Sequence, residues 1–316
     1  MCKFCLKTAA TAAARWHNLF YRNEFENDMI IIMQPHAQNQ AIEAVIEHIR
    51  AAGLHEHVSV GAERVIIGAV GDERVLDVRV LEQLAGVERA VRIVHDWRII
   101  SREAEPQNSV YLCRGVALGQ EVLQVDIKRP VKAVFAYLDP FYVPSNPYQA
   151  GVSSEEQQLR HLTAEVNNSH QRNQPVMVRV RDLRQLDGVL LAGADLVYLG
   201  GEHLESRNMQ QEIGRLNLPV VVCKDKHHTL EQWLVAAERV AMYGNHQIVL
   251  GETGTLSINH RHPYRLDIEA IAAAVKHSHL PVLANVTRLG NGLLNQHQLS
   301  QLAEVAGAKI ILQQNQ

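Results

Sequence analysis

Six consecutive residues, Cys223-Lys224-Asp225-Lys226-His227-His228, put a thiol, two ammonium groups, a carboxylate and two imidazoles behind the apolar run Pro219–Val222. Three chemistries use such groups. A cysteine at a strand end is a nucleophile when a neighbouring cation lowers its pKa and an imidazole takes its proton. Lys224 and His227/His228 are close enough in sequence for both parts. Against this, a buried cysteine usually acts as a small apolar residue. Paired histidines suggest a metal, here and at His260-Arg261-His262. Adjacent histidines on a loop rarely converge, however, and no carboxylate lies at ligand spacing, so solvated loops are the expectation. Cys2-Lys3-Phe4-Cys5 has the spacing of half a structural zinc site. Four ligands are needed and no second pair follows nearby. Gly290-Asn291-Gly292 has the composition of a phosphate-cradling loop, which a simple turn explains equally well.

These residues need a scaffold, and its pattern is readable. Met29 to Gln34 reads as a strand. Ile42, Val45, Ile46 and Ile49 recur at i, i+3, i+4 and i+7, one apolar stripe on a helix that Ala52-Gly53 ends. His57–Ala62 and Arg64–Val70 read as tightly joined strands, Leu76–Leu84 as a short helix and Val87–Val94 as a last strand. The order βαββαβ is that of the ferredoxin-like split unit, a binding or regulatory module. The fold alone assigns it no ligand.

From about Val110 the pattern changes. Val110–Val116 and Glu121–Ile127 read as a hairpin about Ala117-Leu118-Gly119-Gln120. Strands and helices then alternate. The strands are Lys132–Leu138, Pro175–Val180, Asp195–Gly200, Pro219–Lys224, Gln247–Glu252, Pro281–Val286 and Lys309–Gln314. Their continuous apolar character is that of strands buried on both faces of a parallel sheet. The class is α/β, with an incomplete TIM-type (β/α) barrel of about seven parallel strands. Glu121–Ile127 is excluded as an eighth because a parallel crossover is expected to need about a dozen residues or more. One βα unit is therefore expected to be absent, and a final helix too. The organisation is a disordered or targeting-like extension over 1–28, a ferredoxin-like domain over 29–103, and a hairpin-led barrel over 110–316.

Composition narrows the partners. A net charge of −3 gives no basic face for nucleic acid. No apolar run nears the ~18–20 residues that span a bilayer. Four cysteines in 316 residues are too few for a disulfide framework, which points to the cytoplasm.

The segments MIIIMQPHAQNQAIEAVIEHI, VIIGAVGDER, LPVVVCKDKHHTLEQWLVAAERV and SHLPVLANVTRLGNG carry a resemblance. Together they resemble 3-deoxy-7-phosphoheptulonate (DAHP) synthase, in the subgroup with an N-terminal ferredoxin-like domain. The resemblance covers most of the chain after Met29. It implies condensation of phosphoenolpyruvate with erythrose 4-phosphate at the start of aromatic amino-acid synthesis. It also implies a divalent metal held by Cys, His, Glu and Asp, and Arg and Lys residues on the phosphates. It implies homo-oligomers, and a regulatory domain sensing aromatic amino acids.

Position by position, the resemblance places the family's site at residues that have changed. The fifth-strand lysine corresponds to Cys223, followed by Lys224. The sixth-strand Cys-Glu-Arg-Gly corresponds to Gly251-Glu252-Thr253-Gly254, so Thr253 stands for the phosphate arginine. The seventh-strand Asp-Pro-Ser-His corresponds to Asn285-Val286-Thr287-Arg288, with Arg288 at the metal-binding histidine. Gln314 stands at the last-strand glutamate. The second-strand lysine and arginine are missing from Ser145-Asn146-Pro147-Tyr148. The cysteine ligand falls on the unit expected to be absent, and the aspartate ligand beyond the last residue. Pro147, Tyr148, Cys223, Lys224, Glu252, Thr253, Asn285, Arg288 and Gln314 are thus the expected pocket positions. No catalytic residue, metal or cofactor is assigned. Glu252 and Arg288 are expected to pair where the metal would sit.

The resulting expectation is a family member that has lost catalysis and acts as a regulatory or scaffolding pseudoenzyme. Its partners would be a second copy or an active synthase, with an aromatic amino acid as effector. The alternatives are an active aldolase-type transferase on a sugar phosphate, and a small-molecule-binding protein.

Overall fold

The computed structural model describes residues 28–61, 64–71, 75–93, 96–129, 133–144, 146, 148, 153–258, 263–289 and 293–314. The extension before Asp28, Pro147, His260-Arg261-His262 and Gly290-Asn291-Gly292 lie outside them. The first unit runs β1 (Asp28–Met33), α1 (Asn39–Ala51), β2 (His55–Val60), β3 (Val65–Val70), α2 (Val78–Glu82) and β4 (Val87–Ile93). Its sheet order is β2-β3-β1-β4, the ferredoxin-like arrangement. Gly53, at φ +78°, takes the left-handed position that ends α1. From Met29 to Met33 β1 is apolar because both its faces are covered. Met29, Ile31 and Met33 pack against the two helices. Ile30 and Ile32, with Ile66 of β3, join the core of the second unit.

The segment between the units is stitched to the barrel. Glu238 is buried and accepts hydrogen bonds from Ile99 N at 2.9 Å and Ile100 N at 3.2 Å. His279 Nε2 donates to Ile99 O at 3.0 Å, and Ser109 N to His279 O at 2.9 Å. Two buried N–H groups on one carboxylate make this a strong anchor.

The second unit is an eight-stranded parallel sheet in the order β7-β16-β15-β12-β11-β10-β9-β8. The strands are β7 (Leu123–Asp126), β8 (Ala136–Leu138), β9 (Val176–Val180), β10 (Leu196–Leu199), β11 (Val220–Cys223), β12 (Ile248–Glu252), β15 (Val282–Asn285) and β16 (Ile310–Gln313); a short antiparallel pair, β13 (Thr255–Leu256) and β14 (Tyr264–Arg265), lies between β12 and β15 in the chain. Helices α3 (Glu155–Gln171), α4 (Leu186–Leu191), α5 (Arg207–Gly214), α6 (Leu230–Met242), α7 (Ile268–His277) and α8 (Gln296–Val305) return the chain. Ser154, Thr229 and Asn295 start α3, α6 and α8, and each completes a capping box. Inward residues such as Val125, Met177, Leu196, Val221, Val249, Leu283 and Ile310 fill the barrel, and the alternate residues meet the helices. Among the described residues no helix is long and apolar enough to cross a membrane.

This corrects the strand count. Leu123–Asp126 is no hairpin arm but the first barrel strand, running parallel to β16. The hairpin is β5 (Tyr111–Cys113) with β6 (Val116–Leu118), turning at Arg114 (φ +44°) and Gly115 (φ +80°). Two positive φ values make this a tight primed turn, which suits a hairpin. The barrel needs no helix after β7. Strands of three and four residues are only about 10–14 Å long. The nine residues from Ile127 to Phe135 reach about 30 Å when extended, enough to return. So the first strand is kept, and among the described residues its crossover has no helix. β7 and β8 are the two ends of the sheet order and do not pair among the described residues, which leaves the sheet unclosed there.

Candidate functional site

The carboxyl ends of β9, β10, β11, β12 and β15 surround a cavity of about 470 Å³. Its walls include Arg179, Tyr198, Glu202, Lys226, Thr253, Asn285 and Arg288. Alternation along each strand decides what faces inward. On β9, Met177 points into the barrel, so Arg179 does too; on β10 Leu196 and Tyr198 share that side. On β11 and β12 the inward pair at the rim is Cys223 and Gly251, in register. A Cβ on Gly251 would lie 2.3 Å from Cys223 Sγ, so the thiol occupies the space that a side chain there would need.

These groups hold one another. Arg179 Nη2 donates to Glu202 Oε1 at 2.6 Å. Burial opposes the Glu202 charge, but Arg179 outweighs it and leaves the carboxyl below its usual pKa. The guanidinium lies 5.6 Å from the centre of the Tyr198 ring. Asn285 Nδ2 donates to Tyr198 OH at 3.1 Å. Asn285 Oδ1 accepts from Thr287 N at 3.2 Å and Thr287 Oγ1 at 2.6 Å. Cys223 is fully buried, and burial pushes its thiol up to about 12. Behind Arg179, Arg181 donates to both oxygens of Asp139, at 2.8 and 2.5 Å. At the mouth, Lys226 Nζ lies 3.7 Å above the centre of the Tyr264 ring, and the Arg288 guanidinium 5.9 Å from that of Tyr142.

The structure places six of the nine expected positions in three groups. Thr253, Asn285 and Arg288 line the cavity. Cys223 lies in the barrel core near Tyr198. Lys224 and Glu252 point the other way, toward the helices. There Lys224 Nζ is 3.5 Å from Glu252 Oε1 and 3.2 Å from Asp267 Oδ2, the cap of α7. The expected Glu252–Arg288 pair is therefore replaced by Glu252–Lys224. Burial pushes the Glu252 carboxyl up to about 7, against the pull of Lys224 and of Gly254 N, which donates at 2.6 Å. Its Oε2 is buried and has no hydrogen-bond partner among the described residues. Gln314 follows β16 with its N–H donating to Gln296 Oε1 at 2.6 Å. Tyr148 is 94% exposed. Pro147 is outside the described residues.

The paired imidazoles are a loop contact. His228 Nδ1 accepts from Asp225 N at 3.1 Å, and its ring stands 4.2 Å from that of His227. Burial lowers the His228 pKa. The first strand ends Asp126-Ile127-Lys128, with no cysteine.

Arg179 and Tyr198 are site residues that the sequence reading did not pick out. The signal was present for both. Arg179 in PVMVRV and Tyr198 in DLVYLG are polar groups near the carboxyl end of otherwise apolar strands. In a barrel that is where side chains reach a site.

Comparison with known proteins agrees with this architecture. Residues 29–95 match the DAHP synthase ferredoxin-like domain, and residues 144–311 match the DAHP synthetase I family. A curated relative, the phospho-2-dehydro-3-deoxyheptonate aldolase of Thermotoga maritima, is 25% identical over 301 residues, covering 90% of this chain and 88% of the relative. The crystal structure of a Thermotoga maritima DAHP synthase superposes with a TM-score of 0.60 at 24% identity, over 92% of this chain and 88% of that one. A truncated form of the Thermotoga maritima synthase gives 0.57 at 20% identity, over 69% of this chain and 84% of that one, a likeness of fold. On the family match, which spans more than half its length, the chain belongs to the DAHP synthetase I family, with that family's ferredoxin-like domain in front of the barrel.

Proposed function

We propose that this chain has lost the condensation chemistry of its family and acts as a regulatory or scaffolding partner, with an active synthase or a second copy as the associated protein. One observation carries the reading: the groups that the strand ends bring together. A hard divalent cation is held by converging carboxylates or imidazoles. Here the inward positions supply a guanidinium, a phenol, a thiol that burial keeps protonated and an amide already committed to Tyr198 and Thr287. Two carboxylates line the cavity, but Glu202 is tied to Arg179 and Asp225 accepts from Lys226 N at 2.8 Å. Arg288 adds a positive charge at the mouth. These donors do not fit a divalent metal. Without one, a condensation that relies on a metal forfeits roughly several kcal/mol of transition-state stabilisation.

The cations of the wall favour a second reading. Arg179, Lys226 and Arg288 surround one cavity and suit an anionic ligand. An aldolase-type transferase on phosphoenolpyruvate and a sugar phosphate, the chemistry in the name of the Thermotoga maritima relative, is the active-enzyme alternative.

Turnover separates the two. Full-length protein incubated with phosphoenolpyruvate, erythrose 4-phosphate and Mn²⁺ is expected to leave both substrates unconsumed. Consumption of both would establish the transferase. The partner role requires co-elution with an active family member on size-exclusion chromatography, or a dimer of this chain. Independent migration of monomers would end it.

A further inference from the structure

The loops around the barrel mouth carry large apolar side chains on their outside. Tyr142 and Val143 follow β8, Leu256 and Ile258 belong to the β13–β14 arm, and Leu293 and Leu294 precede the cap of α8. All six are exposed, Ile258 by 97%. Contacts join the loops into one collar. Leu256 pairs with Tyr264 across the arm, and its N–H donates to Lys226 O at 3.3 Å. At the base of the arm a Cβ on Gly254 would lie 2.9 Å from Leu289 Cδ2, so the arm rests on the neighbour of Arg288. The centre of the Tyr142 ring lies 5.9 Å from the Arg288 guanidinium and 5.3 Å from that of Arg181. Apolar groups gathered in this way mark an interaction surface, which singly scattered ones do not.

Inside the collar the charge is positive. Arg179, Lys226 and Arg288 stand on the cavity wall with Glu202 and Asp225. Arg179 and Glu202 cancel as a pair, which leaves two cations to one carboxylate. Among the described residues Lys226 and Arg288 form no ion pair, and each faces a tyrosine ring. Such a guanidinium and ammonium can still receive a carboxylate. Arginine and tyrosine are also the residue types that most often carry the energy of a protein interface. The arrangement is one of cations ringed by apolar groups. A bilayer surface asks for the reverse, an apolar face flanked by cations at the level of the headgroups. A carboxylate that projects between apolar neighbours on a polypeptide meets both parts at once.

We propose that the barrel mouth is a docking surface for a segment of a partner protein in which acidic side chains alternate with large apolar ones. A carboxylate enters between Lys226 and Arg288, and its apolar neighbours lie on Tyr142, Leu256 and Ile258. This rests on the partner reading above and gives it a surface and a chemistry. An occupied mouth is closed to small substrates, which a chain without turnover tolerates.

Fluorescence anisotropy of the full chain tests it. The probe is a fluorescein-labelled peptide with the core Leu-Glu-Phe-Glu-Leu between Gly-Ser arms. Saturable binding is expected, with a Kd on the order of 10–100 μM. Glutamine or lysine in place of both probe glutamates should weaken binding about tenfold or more, as should Arg288→Gln with Lys226→Gln in the protein. Ile258→Ser should weaken it severalfold. These side chains lie at the surface of the mouth, and unchanged thermal melting without peptide checks folding. No saturation by about 1 mM, equal binding of the lysine peptide, or an unchanged Kd in the double variant would each overturn the proposal. Absent peptide binding, a dimer that Ile258→Ser dissociates would assign the collar to a second copy. Binding to phosphatidylglycerol vesicles instead of the peptide would assign it to a membrane. Either result overturns the proposal. Turnover of phosphoenolpyruvate and erythrose 4-phosphate would end the partner reading itself, whereas loss of peptide binding without turnover ends only this surface.

Discussion

Glu252 offers a quantitative test of how the barrel's outer layer is held. Its carboxyl is fully buried beside Lys224, and burial raises it from 4.5 to about 7. In the unfolded chain the group ionises near its ordinary value. Between pH 4.5 and 7 the native state therefore holds a proton that the unfolded state has released. The stability this confers is complete below pH 4.5 and is lost as pH rises through 7. At about 1.4 kcal/mol per unit, the difference between 4.5 and about 7 amounts to about 3 kcal/mol. Glu252→Gln fixes the neutral form with nearly the same shape. It keeps an acceptor for Gly254 N and leaves Lys224 paired with Asp267 at 3.2 Å. Urea denaturation of both proteins from pH 5 to pH 9 isolates this group from every other titration. The two stabilities should lie close together at pH 5, and the variant should gain on the wild type by about 3 kcal/mol by pH 9. Parallel curves, or a variant that falls behind as pH rises, would refute the reasoning. The second outcome would mean that the Lys224 pair outweighs desolvation.

Three further outcomes follow from the same geometry. Glu238→Ala leaves the buried Ile99 and Ile100 N–H groups unpaired; a cost of about 2–4 kcal/mol and faster proteolysis between residues 96 and 110 are expected. Unchanged melting would show that the clamp is dispensable. Tyr198→Phe removes the hydroxyl that receives Asn285 and should lower stability by about 1 kcal/mol, read from denaturant midpoints. Cys223, with its thiol raised to about 12 by burial, should resist iodoacetamide in the native protein at pH 8 and react in urea. Peptide mapping reads this directly, and native labelling at Cys223 would contradict its burial.

Much of this fold was legible from pattern. The apolar runs at Pro175–Val180, Pro219–Lys224 and Gln247–Glu252 are strands because both sheet faces are covered, and capping residues mark several helix starts. Leu123–Asp126 was misread because a crossover was expected to need about a dozen residues or more. A strand this short needs only an extended return of nine residues. Within the site, proximity in sequence misled where parity would have decided. Cys223 and Lys224 are adjacent, so one must point into the barrel and the other out. The same parity puts Glu252 outside and removes it from Arg288.

The central claim is that the strand ends no longer form a divalent-metal site. Titration of the full chain with Mn²⁺, followed by the electron paramagnetic resonance of the free ion, measures this directly. Of the wall groups Arg179, Tyr198, Glu202, Cys223, Asp225, Asn285 and Arg288, only two are carboxylates, and Glu202 is tied to Arg179; this set predicts no stoichiometric site, so free Mn²⁺ should rise from the first addition. A single site that depletes Mn²⁺ up to one equivalent, and is strengthened by phosphoenolpyruvate, would contradict it.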